Sequence, residues 1–195
     1  FLGAVLIGAR LREAALERAH FEGANLTSAD FTGADLVDSH FYGALLHRAI
    51  LSGADLLEAD LRRTDLSKAG MKGTNLQGAL FDGASLIGAQ LVDADLEGAY
   101  FDDADLTEAN LQDALLRGAD FRFSNLQAAN FHRADLEGVN FEGARMAGTN
   151  LRAANLRMAV IYLAMVDGAD FRNARMDHAI LIGTTGTGAT FAAAD

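Results

Sequence analysis

The chain has 195 residues and a formal net charge of −11, and it contains no cysteine, proline or tryptophan. The lack of cysteine excludes disulfides, thiolate metal ligands and cysteine nucleophiles, and it fits a reducing compartment, so we expect a cytoplasmic location. The strong negative charge argues against direct binding to nucleic acid, because a phosphate backbone requires a basic partner surface.

From Phe1 to Phe191 the sequence repeats every five residues without a single insertion. Residue numbers ending in 1 or 6 carry a large apolar side chain at all of 39 positions except Gly186. Numbers ending in 4 or 9 are alanine at 32 of 39 positions, numbers ending in 5 or 0 are Asp or Asn at 19, and numbers ending in 3 or 8 are glycine at 18. Such self-similarity predicts a repeat architecture, and it includes the apolar N-terminal residues, which we interpret as structure and not as a targeting signal.

A period of five fits neither an α-helix nor a flat strand. On a helix, successive leucines would step about 140° around the axis and share no face. On a strand, an odd period would send successive leucines to opposite faces. The pattern therefore predicts a chain that turns a corner in every pentapeptide, with Gly, Asp and Asn serving the turns.

The phenylalanines indicate how many pentapeptides complete one coil. Eleven of the 12 phenylalanines have numbers ending in 1, and none has a number ending in 6. One series at a spacing of twenty includes Phe21, Phe41, Phe81, Phe101 and Phe121. Distinct columns at this spacing predict coils of four pentapeptides.

Segments such as Ala24–Ser28, Ala34–Asp38 and Ala104–Glu108 resemble the Ala-(Asp/Asn)-Leu-X-X motif of the pentapeptide repeat family. The resemblance extends over the whole chain. It implies an all-β fold, a right-handed quadrilateral β-helix of about ten coils in one domain spanning residues 1–195. It also implies bacterial relatives, many of them from cyanobacteria.

We find no constellation of residues typical of catalysis, so we predict that the protein is not an enzyme and has no cofactor or metal. His20 and His40 share a column, but the next residue in that column is Asp60, and we interpret both as surface histidines.

The charged residues are unevenly distributed. From Gly73 to Leu116 there is no Lys or Arg but there are nine acids. We therefore propose an acidic interaction belt, with a merely solvated face as the alternative. The belt consists of Asp82, Asp93, Glu97, Asp102, Asp103, Glu108 and Asp113. Part of the pattern is expected to be structural, since Arg117, Arg122 and Arg133 follow in matching columns and Glu97, Arg117, Glu137, Arg157 and Asp177 form an alternating ladder.

A second candidate surface is apolar and lies near the C-terminal end. Its residues should point outward on one side: Val160, Tyr162, Leu163, Ile180 and Ile182. A contiguous exposed apolar patch favours an interface, with dimerisation through the C-terminal coils preferred to a ligand groove.

Two functional hypotheses follow. The first is a non-enzymatic protein-interaction or scaffold rod whose partner is another protein and which binds neither nucleic acid nor membrane. The second follows from the family resemblance: some acidic members mimic DNA, bind gyrase and confer resistance to quinolones or peptide toxins. Those members often carry cysteine where this chain has alanine, an appended C-terminal dimer element and interrupting loops, and this sequence has none of the three.

Overall fold

The computed structural model describes residues 1–195. From residue 1 to residue 185 every pentapeptide follows the same course, a turn followed by a single bridging residue, and no longer strand forms. Residues 187–188 form a bend in place of the turn, and the last pentapeptide has no bridging residue. The bridges are all parallel and join residues twenty apart, from Val5 with Asn25 to Asp170 with Thr190. Four pentapeptides therefore complete one coil, as the phenylalanine spacing predicted. The structure contains no helix with the length and apolarity that crossing a bilayer requires.

The corner of almost every pentapeptide is a hydrogen-bonded β-turn. The N–H of Ala24 donates to the carbonyl of Phe21 at 2.9 Å, and the same bond recurs along the chain. The third residue of the turn has positive φ at every position, for example 64° at Gly23 and 58° at Ser28. Since only the third residue does so, the geometry is that of a type II turn, which favours glycine there. The glycine pattern thus marks the corners, although 21 other residues adopt the same φ.

The motif carboxylates and amides complete the hydrogen bonding of the backbone. The residue after each inward leucine is the one whose N–H has no backbone acceptor, Thr107 being an example. Asp105, which lies two residues before Thr107, accepts that N–H through Oδ1 at 2.9 Å. Every motif Asp or Asn before Asp195 makes this contact. The prediction that these residues serve the turns is confirmed.

The inward side chains form one continuous core. A cluster of 57 buried apolar residues extends from Phe21 to Ala174. Phenylalanines in one column stack, with ring centroids 4.6 Å apart between Phe81 and Phe101. Rings from the facing column meet them edge-on, 5.8 Å apart between Phe121 and Phe131. The interior is therefore filled by side chains from opposite sides of the coil, and the stacking adds to the burial of apolar surface.

Hydroxyl groups that replace the small inward alanine mostly bond to the backbone. Thr64 Oγ1 donates to the carbonyl of Leu61 at 2.6 Å, and Ser124 Oγ donates to that of Phe121 at 2.7 Å. Ser39 is fully buried, and its hydroxyl has no partner.

Among the residue numbers ending in 1 or 6, only Gly186 lacks a large side chain, and the structure explains why. A Cβ at this residue would lie 2.8 Å from the amide nitrogen of Asp167 and 2.8 Å from the carbonyl carbon of Val166. The backbone of this pentapeptide therefore lies too close to the preceding coil for any side chain.

Candidate interaction surfaces

The acidic belt does not form a single cluster. Its exposed or half-buried acids occupy all four corners of the coils between residues 82 and 113. Asp82, Asp102 and Asp103 share one corner, whereas Glu108, the pair Asp93 and Asp113, and Glu97 each lie at another. The structure thus places these residues at one level of the rod but not on one face.

Two belt acids are paired within the chain. Arg133 donates from Nε to Asp113 Oδ1 and from Nη2 to Asp113 Oδ2, both at 2.6 Å. This bidentate pair, with a further hydrogen bond from Gln112, lowers the pKa of Asp113 to about 2. Asp93 lies 3.7 Å from the ammonium group of Lys72. These charges are partly neutralised, so they contribute less to any recognition surface.

Asp102 lies in a different environment. Its Oδ1 is buried without a hydrogen-bond partner. Burial raises the pKa of Asp102 above its ordinary value, while the nearby Arg122 opposes the shift and Asp103 adds to it. Arg122 itself donates to Asp120, with Nε 2.8 Å from Oδ2, and therefore does not pair with Asp102.

The predicted charge ladder is confirmed only at its C-terminal end. Arg157 lies 3.6 Å from Asp177 in the same column. Arg117 instead donates to Asp135, with Nε 2.6 Å from Oδ2. The reason is local: Asp135 is a motif residue whose other oxygen, Oδ1, accepts the N–H of Glu137, so its carboxylate stands beside the corner that carries Arg117.

Three belt acids, Glu97, Asp103 and Glu108, are exposed and make no ion pair. Arg63 and Lys68 are also exposed and unpaired, and they lie two coils nearer the N-terminus. These two cations lie outside the segment without Lys or Arg that defined the predicted acidic belt, and so they were not predicted to belong to a charged surface.

The apolar candidates do form one patch. Val160 and Ile180 are bridge partners in adjacent coils. Leu163 donates its N–H to the carbonyl of Ile182 at 3.0 Å, so these two are also neighbours. Exposure reaches 52% at Leu163 and 66% at Ile182, and Val160 is half-buried. Met158 and Met165, both exposed, extend the patch along its edges.

His20 and His40 stack as their column predicts, with ring centroids 4.7 Å apart. His20 Nδ1 lies 2.9 Å from Glu22 Oε1. Asp60, next in the column, is held by Arg62 through two hydrogen bonds. The residues show no grouping of three or more His, Cys, Asp or Glu side chains that would hold a metal ion.

Comparison with known families agrees with this geometry. Eight copies of the family described as Pentapeptide repeats match residues 4–41, 39–78, 71–103, 104–143, 129–161 and 167–195. The chain belongs to the pentapeptide repeat family. Its fold is accordingly of the β-helix type. No curated protein matches the sequence significantly.

Several solved pentapeptide repeat proteins are similar to this one. HetL from the cyanobacterium Nostoc sp. strain PCC 7120, involved in regulating heterocyst differentiation, is 31% identical with a TM-score of 0.54, over 97% of this chain and 85% of HetL. QnrB1, a plasmid-mediated fluoroquinolone resistance protein, is 20% identical with a TM-score of 0.41, over 94% of this chain and 90% of QnrB1. A protein of the Arabidopsis thaliana thylakoid lumen is 30% identical with a TM-score of 0.34, over 62% of this chain and 67% of that protein.

Proposed function

We propose that this pentapeptide repeat protein is an interaction or scaffold rod, and that its role is binding another protein and not catalysis. In this proposal residues 1–195 form a single domain, a right-handed quadrilateral β-helix of about ten coils. The observation that carries the proposal is the exposed apolar patch on the C-terminal coils. A rod with a filled core holds such a patch in fixed geometry, which lowers the entropic cost of binding.

The patch has the composition of a protein interface. It combines an aromatic residue, Tyr162, with the branched aliphatic residues Leu163, Ile180 and Ile182. Contiguous exposed apolar surface is typical of interaction sites, and tyrosine is enriched among residues that dominate binding energy. Around the patch lie Arg157 and Asp177, which would form the polar rim that interfaces commonly have.

The relationship to HetL supports a binding role. HetL is involved in regulating heterocyst differentiation, and its identity of 31% extends over almost the whole of the present chain. Regulation through a stable complex with another protein is a task that a rod of this kind can perform. The proposal transfers only this class of role and no particular partner.

The test compares capture of proteins by the wild-type rod and by Tyr162→Glu/Ile180→Glu. A specific partner should bind the wild-type protein and lose at least about tenfold in affinity with the variant, because charge would enter an apolar contact. The matched control is Tyr42→Glu/Ile50→Glu. Ile50 and Ile180 are both bridge residues with 44% exposure, and Tyr42 and Tyr162 share a column. Equal affinity of the two variants for the partner would contradict the proposal.

A second copy of the chain is the alternative occupant of the patch. A homodimer through the C-terminal coils would be recognised by light scattering, because Tyr162→Glu/Ile180→Glu would then convert a dimer to a monomer in the purified protein alone.

A second candidate function is DNA mimicry towards gyrase. The unpaired charges of Glu97, Asp103 and Glu108 favour it, since they lie in the segment without basic residues. Purified protein at about micromolar concentration should then inhibit gyrase supercoiling or protect it from a quinolone, in keeping with an electrostatically steered association. Loss of this effect in Asp103→Asn/Glu108→Gln would support mimicry, and its absence in the wild type would contradict it.

A further inference from the structure

One side of the rod carries a charge pattern that inverts over two coils. This side, here called the Ser85 side, lies between the corner of Asp82 and Gly83 and the corner of Ile87 and Gly88. One coil nearer the N-terminus its two corners carry Arg63 and Lys68. One coil nearer the C-terminus the corresponding positions are Asp103 and Glu108. The bridges are twenty residues apart, so Arg63 shares a column with Asp103, and Lys68 shares one with Glu108.

All four side chains are exposed and free of ion pairs within the chain. The neighbouring column shows the same change of charge, from Arg62 to Asp102 two coils later, although Arg62 already forms an ion pair with Asp60. The stem of Arg63 extends over Gly83, with Cγ 3.7 Å from the position of a Cβ there, and the stem of Lys68 extends over Gly88 at the same distance. Both stems therefore lie against the coil that separates the cations from the acids, while the guanidinium group of Arg63 lies 5.8 Å from the centre of the Tyr42 ring.

A two-fold axis makes this pattern self-complementary. Let the axis lie in the plane of the Ser85 side, perpendicular to the rod, at the level of residues 82–88. Rotation about this axis makes the second rod antiparallel to the first, and each column of one copy faces the same column of the other. A coil on the N-terminal side of the axis in one copy therefore meets a coil on the C-terminal side of the axis in the other. Arg63 then meets Asp103 of the second copy, and Lys68 meets its Glu108. Because the contact is isologous, each pairing occurs twice.

The coil on the axis allows close approach. Gly83 and Gly88 lack side chains, and the exposed Ile87 and the half-buried Asp82 would each meet their own copy across the axis. Asp65 and Asp105 would also stand opposite each other. Each of them directs Oδ1 at a backbone N–H of its own chain, at 3.0 Å for Ser67 and 2.9 Å for Thr107.

We propose that two copies of this chain pair antiparallel through the Ser85 side, held by Arg63 and Lys68 of each copy against Asp103 and Glu108 of the other. This self-pairing uses different coils from the apolar patch and is independent of the function proposed above. Since its main contacts are exposed charges, the dimer is weak, forms quickly and depends on salt.

Sedimentation equilibrium of the full chain tests this at about 100 µM in about 50 mM NaCl, conditions in which surface charges are little screened. The wild type should approach twice its monomer mass of 20.6 kDa. Raising NaCl to about 500 mM should weaken the dimer at least tenfold, because the Debye length shortens. A wild-type monomer at low salt would overturn the proposal, and so would a dimer indifferent to salt.

Charge-reversed variants identify the surface. Arg63→Asp/Lys68→Glu should be monomeric alone, and so should Asp103→Arg/Glu108→Lys, because each then presents like charges to its own copy. Mixed in equal amounts, the two variants should form a heterodimer, and the chain with all four substitutions should dimerise again. Persistent dimers of either variant alone, or failure of the mixture to associate, would overturn the assignment.

Two control variants test whether the loss of pairing is specific to the Ser85 side. Arg152→Asp/Arg175→Glu changes the net charge as much as Arg63→Asp/Lys68→Glu, at exposed positions away from the Ser85 side, and should still dimerise. Ile180→Glu, which changes a bridge residue of the apolar patch on a neighbouring side of the rod, should dimerise as well. If only the latter variant abolished the dimer, the association would belong to the apolar patch, and the Ser85 side would be excluded.

Discussion

Asp113 and Asp102 show how strongly the immediate neighbours determine the behaviour of an acid on this rod. The two lie in the same acidic segment of the chain. The bidentate contact with Arg133 lowers the pKa of Asp113 to about 2, whereas burial raises the pKa of Asp102. The charge of the acidic segment is therefore not uniform, and the proposed recognition by this segment would depend on acids such as Asp103 and Glu108, which have no ion-pair partner.

Arg133→Met should raise the pKa of Asp113 from about 2 towards the value of about 3.9 found in unfolded chains, because the charge-assisted hydrogen bonds are lost. The lowered pKa means that the pair stabilises the folded state above the unfolded pKa. That contribution is lost as the pH falls through the folded pKa. NMR titration of the Asp113 carboxyl carbon measures the shift, with Arg152→Met as the control. An unchanged midpoint in Arg133→Met would contradict this assignment.

At the scale of the single pentapeptide, the motif Asp or Asn accepts the one N–H that the backbone ladder leaves without an acceptor. Asp105 Oδ1 accepts both the N–H and the hydroxyl of Thr107, and it also accepts a hydrogen bond from Asn125. The motif residue thus joins the turn of its own coil to the next coil.

Asp105→Leu should lower the free energy of unfolding by about 1–2 kcal/mol, the range found for loss of a comparable side-chain cap. Asp105→Asn should cost much less, since its amide oxygen still accepts the N–H of Thr107. Urea unfolding measures both variants. A similar loss for the two would mean that charge, and not the turn contact, matters at this position.

At Gly186 the structure predicts the opposite effect of a substitution from the one that the repeat pattern suggests. The consensus would favour leucine there, yet a Cβ would meet the backbone of Asp167 and Val166. Gly186→Leu should therefore disrupt the last pairing, and amide exchange should accelerate at Val166 and Gly168, which donate to Thr185 and Thr187. Exchange at Leu96 should be unchanged, since coils of a solenoid interact mainly with their neighbours. Slower exchange at Val166 would contradict this account.

These cases show which features were predictable from the sequence. The inward leucines and the twenty-residue spacing of Phe81, Phe101 and Phe121 determine which coils stack, so the core and the apolar patch followed from numbering alone. The ion pair between Arg117 and Asp135 could not be predicted in this way. The columns show which residues stack on each other, but a long side chain such as that of arginine can also contact a residue in an adjacent column. Nor could the close approach at Gly186 be predicted, because it depends on the path of the backbone.

At the scale of the molecule, one continuous core makes the surface a rigid lattice of columns. The position of an outward residue is given by its coil and by its corner. Two opposite charges at the same corner, placed symmetrically above and below one coil, therefore meet each other when a second copy of the rod is turned end over end. The same rigidity holds the apolar patch and the Ser85 side at a fixed separation, so one conformation of the rod presents both proposed contact surfaces.

The stacking of coils can be measured directly by distances between spin labels, and the absence of cysteine makes labelling specific. Thr27, Thr107 and Thr187 share one column, so pairs at Thr107/Thr187 and Thr27/Thr187 span four and eight coils. With about 4.8 Å per coil, the distances should be about 19 Å and about 38 Å. Labelled protein is diluted with unlabelled chain so that only distances within one molecule contribute. A ratio near two supports the rod, whereas distances that fail to grow with the number of coils would contradict it.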